Sequence, residues 1–291
     1  GNLTITSGTL QVGTATAGTL NVDGTLTING ANGTLNIATG AGAAVVNHLG
    51  NFVESAGTIT RTGAGTANYN FIKATGTQTI NQSGGTIIGT TNWNIGNGST
   101  SNTVQLASNL AIGGGTVSPK ASATMDFQGF VLSGAHSFVT VALSTLVSSN
   151  TNSTGCFTTL ATGAFGSVQS TTLRTYAAST NFTFNGSSNQ NTGNGVGANQ
   201  VYNLTINTTA GATVTLTKPA GTSVVVTNTV NLASGNLILS LCDLQLNNAA
   251  SFTGGPWSTS NMVITTGTGR SAGNGRVIKI LVGTSVTTVQ V

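Results

Sequence analysis

Gly8-Thr9-Leu10-Gln11-Val12, Gly18-Thr19-Leu20-Asn21-Val22, Gly24-Thr25-Leu26-Thr27-Ile28 and Gly33-Thr34-Leu35-Asn36-Ile37 repeat one short pattern along the start of this chain. Each copy sets apolar side chains two residues apart, so both point to one face of an extended strand while the residue between them points away. Glycine opens each copy because a tight corner between short strands often needs a positive φ, which glycine adopts without steric cost. Looser copies follow at Gly57-Thr58-Ile59, Gly76-Thr77-Gln78-Thr79-Ile80, Gly85-Thr86-Ile87 and Gly115-Thr116-Val117. The early copies start six to ten residues apart, too close for a strand plus a crossover helix and too uneven for a regular hairpin array.

This pattern predicts an all-β fold, a single-stranded parallel β-helix (β-solenoid), right-handed and without substantial helix. Two or three strands per turn imply roughly 20 to 25 residues per turn and about 12 turns. The same grammar returns late: Asn203-Leu204-Thr205-Ile206 repeats Asn2-Leu3-Thr4-Ile5, and Val214, Leu216, Val224, Val226, Val230 and Leu232 continue the alternation. One continuous solenoid over residues 1–291 is therefore expected, ending in a strand over 286–291. An irregular loop is expected near 179–200, where Asn, Ser and Gly dominate. Between Met125 and Phe184 the apolar residues grow larger, and Phe127, Phe130, Phe138, Phe157, Phe165, Phe182 and Phe184 read as rings stacked in a wider core rather than as a sugar-binding platform. Repetition is a physical requirement. Each buried aliphatic side chain contributes ~1.5 to 3 kcal/mol, but ordering costs about 1 to 2 kcal/mol per residue, so a lone turn does not fold without neighbours on which to stack.

The composition narrows the function. Charged residues make up 4% of the chain, against about 25% in ordinary soluble domains. With 38% hydrophobic residues and a mean hydropathy of +0.20, the chain can still build a core, unlike polar disordered segments. No apolar run approaches the roughly 20 residues of a membrane-spanning helix. Arg61, Lys73, Lys120, Arg174, Lys218, Arg270, Arg276 and Lys279 are dispersed, so the basic stripe that nucleic-acid binding needs is missing and no nucleic-acid partner is expected.

Asp23, Glu54, Asp126 and Asp243 share no motif, which leaves paired-carboxylate glycoside chemistry without partners. Cys156, His136 and Asp126 lie in no nucleophile elbow, His48 and His136 are too few for zinc, and no Asp recurs in every turn as calcium solenoids require. Gly113-Gly114-Gly115 lacks the Gly-Lys-Ser/Thr ending of a phosphate loop. No catalytic, cofactor-binding or metal-ligating residue is assigned, and no cofactor is expected. Cys156 and Cys242, several turns apart, read as separate thiols. Trp93 and Trp257 are the candidate contacts for a sugar ring in an alternative reading, a carbohydrate-binding or carbohydrate-cleaving β-helix. A third reading, ice binding, draws on Thr4/Thr6, Thr25/Thr27 and Thr215/Thr217, although these pairs recur at no fixed period.

The Gly-Thr-Leu-Asn-Val/Ile units, with Asn231-Leu232-Ala233-Ser234-Gly235-Asn236-Leu237-Ile238-Leu239, resemble the repetitive passenger regions of bacterial surface proteins. They look like filamentous-haemagglutinin-like and autotransporter adhesins, and the second half is similar to the giant repetitive surface proteins of gliding and type IX-secreting Bacteroidota. The resemblance implies export, adhesion or fibre formation, with no catalytic residues to carry over. The expectation is thus a non-enzymatic, secreted structural or adhesive protein at the cell surface or in an extracellular fibre, whose partners are copies of itself, and glycans or cell surfaces. Because Gly1–Ile5 already reads as a strand, any export signal is expected to have been removed or to lie outside this stretch.

Overall fold

In the first 140 residues, Leu3 stacks on Leu26, Leu26 on Phe52, Phe52 on Ile80 and Ile80 on Leu106, each pair parallel and in register. This is a wound coil: the chain returns to the same wall once per turn, one strand further along. The computed structural model describes residues 1–209, 211–218, 221–266, 275–280 and 286–287. By its internal contacts the chain forms two compact units, Gly1–Thr140 with Gln169–Arg174, and Val141–Val168 with Thr175–Val291.

The first unit has two long walls. One contains Leu3–Gly13, Leu26–Ala38, Phe52–Glu54, Thr75–Gln82, Ser101–Leu106 and Thr124–Asp126, with Thr58–Thr60 and Thr86–Ile87 continuing the far half of Leu26–Ala38. The other contains Gly18–Val22, Ala44–His48, Ala67–Phe71, Asn92–Ile95, Thr116–Pro119 and Ser137–Val139. A short third ladder pairs Leu110–Ala111 with Leu132–Gly134. Residues joined across neighbouring turns are 21, 23, 24, 26 and 28 apart in sequence. The turns are thus somewhat longer and less even than the expected 20 to 25 residues, because loops of different length leave the same corner.

Glycine serves the corner inside the first wall. Gly8 stacks on Gly33, and Gly57 continues the corner at φ +80°, where an added Cβ would lie 2.5 Å from the Gly33 carbonyl oxygen. A left-handed conformation and close backbone approach both exclude a side chain there.

The interior is built mainly of apolar side chains. Leu26, Ile28, Leu35, Ile37, Val46 and Phe52 have no exposed surface. Aromatic stacking begins earlier than expected, at Phe52, Tyr69, Phe71 and Trp93, where the Tyr69 and Trp93 rings lie parallel with centroids 4.6 Å apart. Of the Phe residues expected in the core, Phe127, Phe138, Phe157, Phe182 and Phe184 are fully buried, whereas Phe165 is exposed.

The second unit follows the same plan. Thr145–Ser148, Thr180–Phe184, Val201–Asn207, Ser223–Ser234, Asp243–Leu246 and Val277–Ile280 form one wall, with Ser251–Gly254 beside the far half of Ser223–Ser234. Gln190–Asn191, Thr213–Leu216, Asn236–Leu239 and Val263–Thr265 form a second. Leu146 stacks on Phe182, Phe182 on Leu204 and Leu204 on Val230.

The stretch 179–200 is not the single irregular loop that its composition suggested. It carries the strands Thr180–Phe184 and Gln190–Asn191, because Phe182 and Phe184 alternate into the core. The strand-free excursion lies earlier, over residues 149–167, and holds the one helical element among the described residues, a 3-10 turn at Leu160–Thr162. Among the described residues the stacked strands pair in parallel, whereas Val277–Ile280 pairs antiparallel with Val286–Thr287. Residues 288–291, the rest of the expected closing strand, lie outside the described residues.

Candidate functional site

Alternation turns one side of each strand outward, and on the second wall of the first unit those outward positions fall into columns. Asn21 stacks on Asn47, Asn47 on Asn70, Asn70 on Asn94, and Asn94 on Ser118. The amides bond to one another along the column: Asn47 Nδ2 donates to Asn21 Oδ1 at 3.0 Å, Asn70 Nδ2 to Asn47 Oδ1 at 3.0 Å, and Asn94 Nδ2 to Asn70 Oδ1 at 2.8 Å. A neighbouring column runs Thr19, Val45, Asn68, Asn92, with Asn92 Nδ2 donating to Asn68 Oδ1 at 3.2 Å. The second unit repeats the device: Asn228 Nδ2 donates to Asn203 Oδ1 at 2.7 Å and Asn203 Nδ2 to Asn181 Oδ1 at 2.8 Å. Asparagine suits this role because its amide both donates and accepts, so identical residues one turn apart satisfy each other. In the first wall Thr9, Thr34, Thr58 and Thr86 form a comparable hydroxyl column. The Thr-x-Thr pairs do not extend so far, since Thr4 and Thr27 are followed by Val53 and Asn81.

The scarce cations are turned onto the chain's own backbone. The Arg61 guanidinium donates to the carbonyls of Gly63, Ala64 and Thr90. Lys218 Nζ donates to the Gly197 and Ser223 carbonyls at 2.6 and 2.7 Å, and Lys279 Nζ to those of Asn247, Asn248 and Ala250. Lys73 donates to the Thr77 carbonyl, Arg174 to the Ser170 carbonyl, and Lys120 to Ser118 Oγ. Arg276 forms an ion pair with Asp243 at 2.7 Å. Arg61 and Lys279 in this way satisfy carbonyls of corner residues between strands. Arg270 lies outside the described residues.

The carboxylates are equally scattered. Asp23 is exposed near the N-terminal amine, while Asp126 caps the Gln128 amide and accepts from Gln105 Nε2. Glu54 differs, pointing inward at the position held by Ile28 one turn before, with no exposed surface. Its Oε2 accepts from Gln82 Nε2 at 2.9 Å, and it joins none of the ion pairs among the described residues; burial, outweighing that bond and one to the Thr86 backbone, pushes its pKa up to about 7.

The remaining reactive residue types are held in the interior. His48 donates from Nε2 to the Gly24 carbonyl at 3.0 Å and accepts at Nδ1 from the Tyr69 hydroxyl at 2.8 Å. That pairing assigns its neutral tautomer, and burial lowers its pKa to about 4. His136 is likewise buried and lowered to about 4 by desolvation. Cys156 and Cys242 are free thiols. Cys156 donates to the Asn150 carbonyl and Cys242 to that of Leu216, and burial raises both to about 11, far from a reactive thiolate. Among the described residues no cluster of His, Cys, Asp and Glu could hold a metal ion.

The two tryptophans part company. Trp93 is 1% exposed, stacked on Tyr69 and edge-on to Phe52, so the expected sugar contact is corrected to a core residue: its flanking residues Asn92 and Asn94 face outward and it therefore faces in. Trp257 is 53% exposed, packs edge-on against Phe252, and lines an open apolar cleft of about 300 Å³ with Met262, Val263 and Val277. A sugar site couples an aromatic face to convergent polar groups, and the described residues of this lining are all apolar. The chain matches no family model, no curated protein and no solved structure.

Proposed function

We propose that this chain is a non-enzymatic, secreted structural or adhesive β-solenoid that forms or decorates an extracellular fibre or cell-surface layer by self-association of its subunits. The observation that carries this reading is how polar chemistry is spent. Cations staple backbone carbonyls, buried histidines and thiols are held in inert states, and the outward columns are neutral amides and hydroxyls. A surface so poor in charge offers little repulsion between copies, and stacked amide and hydroxyl rows are the kind of lateral hydrogen-bonding surface that cross-β assemblies use. The resemblance of the Gly-Thr-Leu-Asn-Val/Ile units to adhesin passenger repeats supports the same reading.

Electron microscopy of the purified full chain over a concentration series is the direct test. Filaments or sheets that lengthen with concentration are expected; a strictly monomeric species at every concentration contradicts the proposal.

A further inference from the structure

We propose that the outer face of the second wall of the first unit, at residues 19–21, 45–47, 68–70 and 92–94, binds a neutral polysaccharide laid across its successive turns. The face goes beyond self-association, and the two activities stand or fall separately.

The columns keep hydrogen-bonding capacity to spare. An asparagine amide has two N–H groups and two carbonyl lone pairs. Within the Asn21, Asn47, Asn70, Asn94 column, the bonds at 3.0, 3.0 and 2.8 Å use one donor of each upper amide and one acceptor of each lower one. Asn47 and Asn70, in the middle, each keep one N–H and one lone pair for an outside partner. Asn68 and Asn92 add a second, shorter row beside them. The result is a donor–acceptor pair repeated at every turn, about 4.8 Å apart, on strands whose position is set by a packed core beneath.

No ionisable side chain stands in either column from Thr19 to Asn94. The flanking ionisable side chains stand outside the columns: Asp23 is exposed two residues beyond Asn21, Lys73 donates to the Thr77 carbonyl and Lys120 to Ser118 Oγ at 3.1 Å. An anionic polymer gains its affinity from charge-assisted bonds to cations, and the face has none to give.

Hydrogen-bonding columns of this kind can meet a second copy edge to edge, but they offer no apolar hot spot to an unrelated protein. Protein interface cores are enriched in aromatic residues, Met and Arg, but here the aromatics, Tyr69 and Trp93, point inward and are buried. Val45 is the one apolar side chain in the outer columns. A partner must therefore offer hydroxyls rather than a hydrophobic patch. Contacts of this sort are individually weak and gain strength by repetition along a polymer, which is the form the face itself takes.

The test uses the full chain with cellulose, chitin and starch granules as neutral probes and immobilised alginate as the anionic one, reading the fraction of protein that sediments. Retention on at least one neutral polysaccharide, insensitive to salt, is expected. The double variant Asn68→Glu/Asn92→Glu leaves the four-amide column in place and charges the face, and should weaken retention about tenfold or more; Ser187→Glu, exposed in the second unit, should not. Should the first double variant lose its β-sheet circular dichroism, Thr19→Glu/Val45→Glu makes the same test on the other turns. No retention on any neutral probe, retention on alginate alone, or folded Glu variants that bind as well as the parent overturns the proposal. Filament formation by the parent chain is read separately by microscopy.

Discussion

Glu54 and Trp93 show how much a single inward position decides. Trp93 fills the interior between Tyr69, Phe52 and Phe71. Trp93→Ala should cost about 3 to 5 kcal/mol, as large aromatic-to-Ala core changes do; denaturant unfolding would read it, and a change within about 0.5 kcal/mol, typical of surface sites, would contradict its placement. Glu54 works through pH. Its folded pKa, about 7, lies above the ordinary value of 4.5, so between those values the folded chain holds a proton that the unfolded chain has released. Stability from this group is present below pH 4.5 and is lost as pH rises through 7. Glu54→Gln keeps a neutral side chain at every pH, so the variant should gain on the parent between those values, on the order of 1 to 3 kcal/mol. His48 and His136 act in the opposite sense, since their folded values near 4 lie below 6.5 and stability is lost as pH falls from 6.5 toward 4. The alternation Phe52-Val53-Glu54 and Trp93-Asn94-Ile95 turns both residues inward, against the sequence expectation of Trp93 as a sugar contact. Residue type argued the other way, because a carboxylate is seldom fully buried and a tryptophan between asparagines resembles a binding platform.

At the scale of elements, the strands were legible and their register was not. The Gly-Thr-Leu alternation marks where a strand starts and which side faces the core, since both follow from neighbouring residues. Which asparagine meets which depends on the length of every corner between them, and successive steps of 26, 23 and 24 residues along one column defeat a search at fixed period. The stretch 179–200 departs from what its composition suggests for a related reason. Its polar composition suggests a loop, while two alternating phenylalanines seat a five-residue strand against Thr145–Ser148 of the preceding turn. The amide column makes a prediction at this scale. Asn47 is bonded on both sides, to Asn21 and Asn70, and Asn47→Ala removes both bonds. At about 0.5 to 1.5 kcal/mol per bond, thermal unfolding should show a loss of about 1 to 3 kcal/mol, and an unchanged melting temperature would mean the column contributes nothing to stability.

For the whole molecule, the balance of charge matters more than any one site. A formal net charge of +4 over 291 residues, with most of the described cations bonded to backbone carbonyls, leaves ionic strength little to screen. Association of copies, followed by sedimentation velocity, should therefore be nearly indifferent to salt; strong dissociation at high salt would assign assembly to ion pairs instead. The near absence of charge was plain in the composition. Its physical use, as staples for corner carbonyls, needed the fold.

The claim beneath all of this is that successive turns stack in parallel, in register, along one wall. Spin labels at Thr19→Cys and Asn68→Cys, two turns apart through Val45, measure it directly, and the buried native thiols, raised to about 11, leave the new cysteines to react. The account predicts a narrow, short separation near twice the ~4.8 Å spacing of paired strands, widened by the label arms. A broad distribution at several times that distance would contradict it.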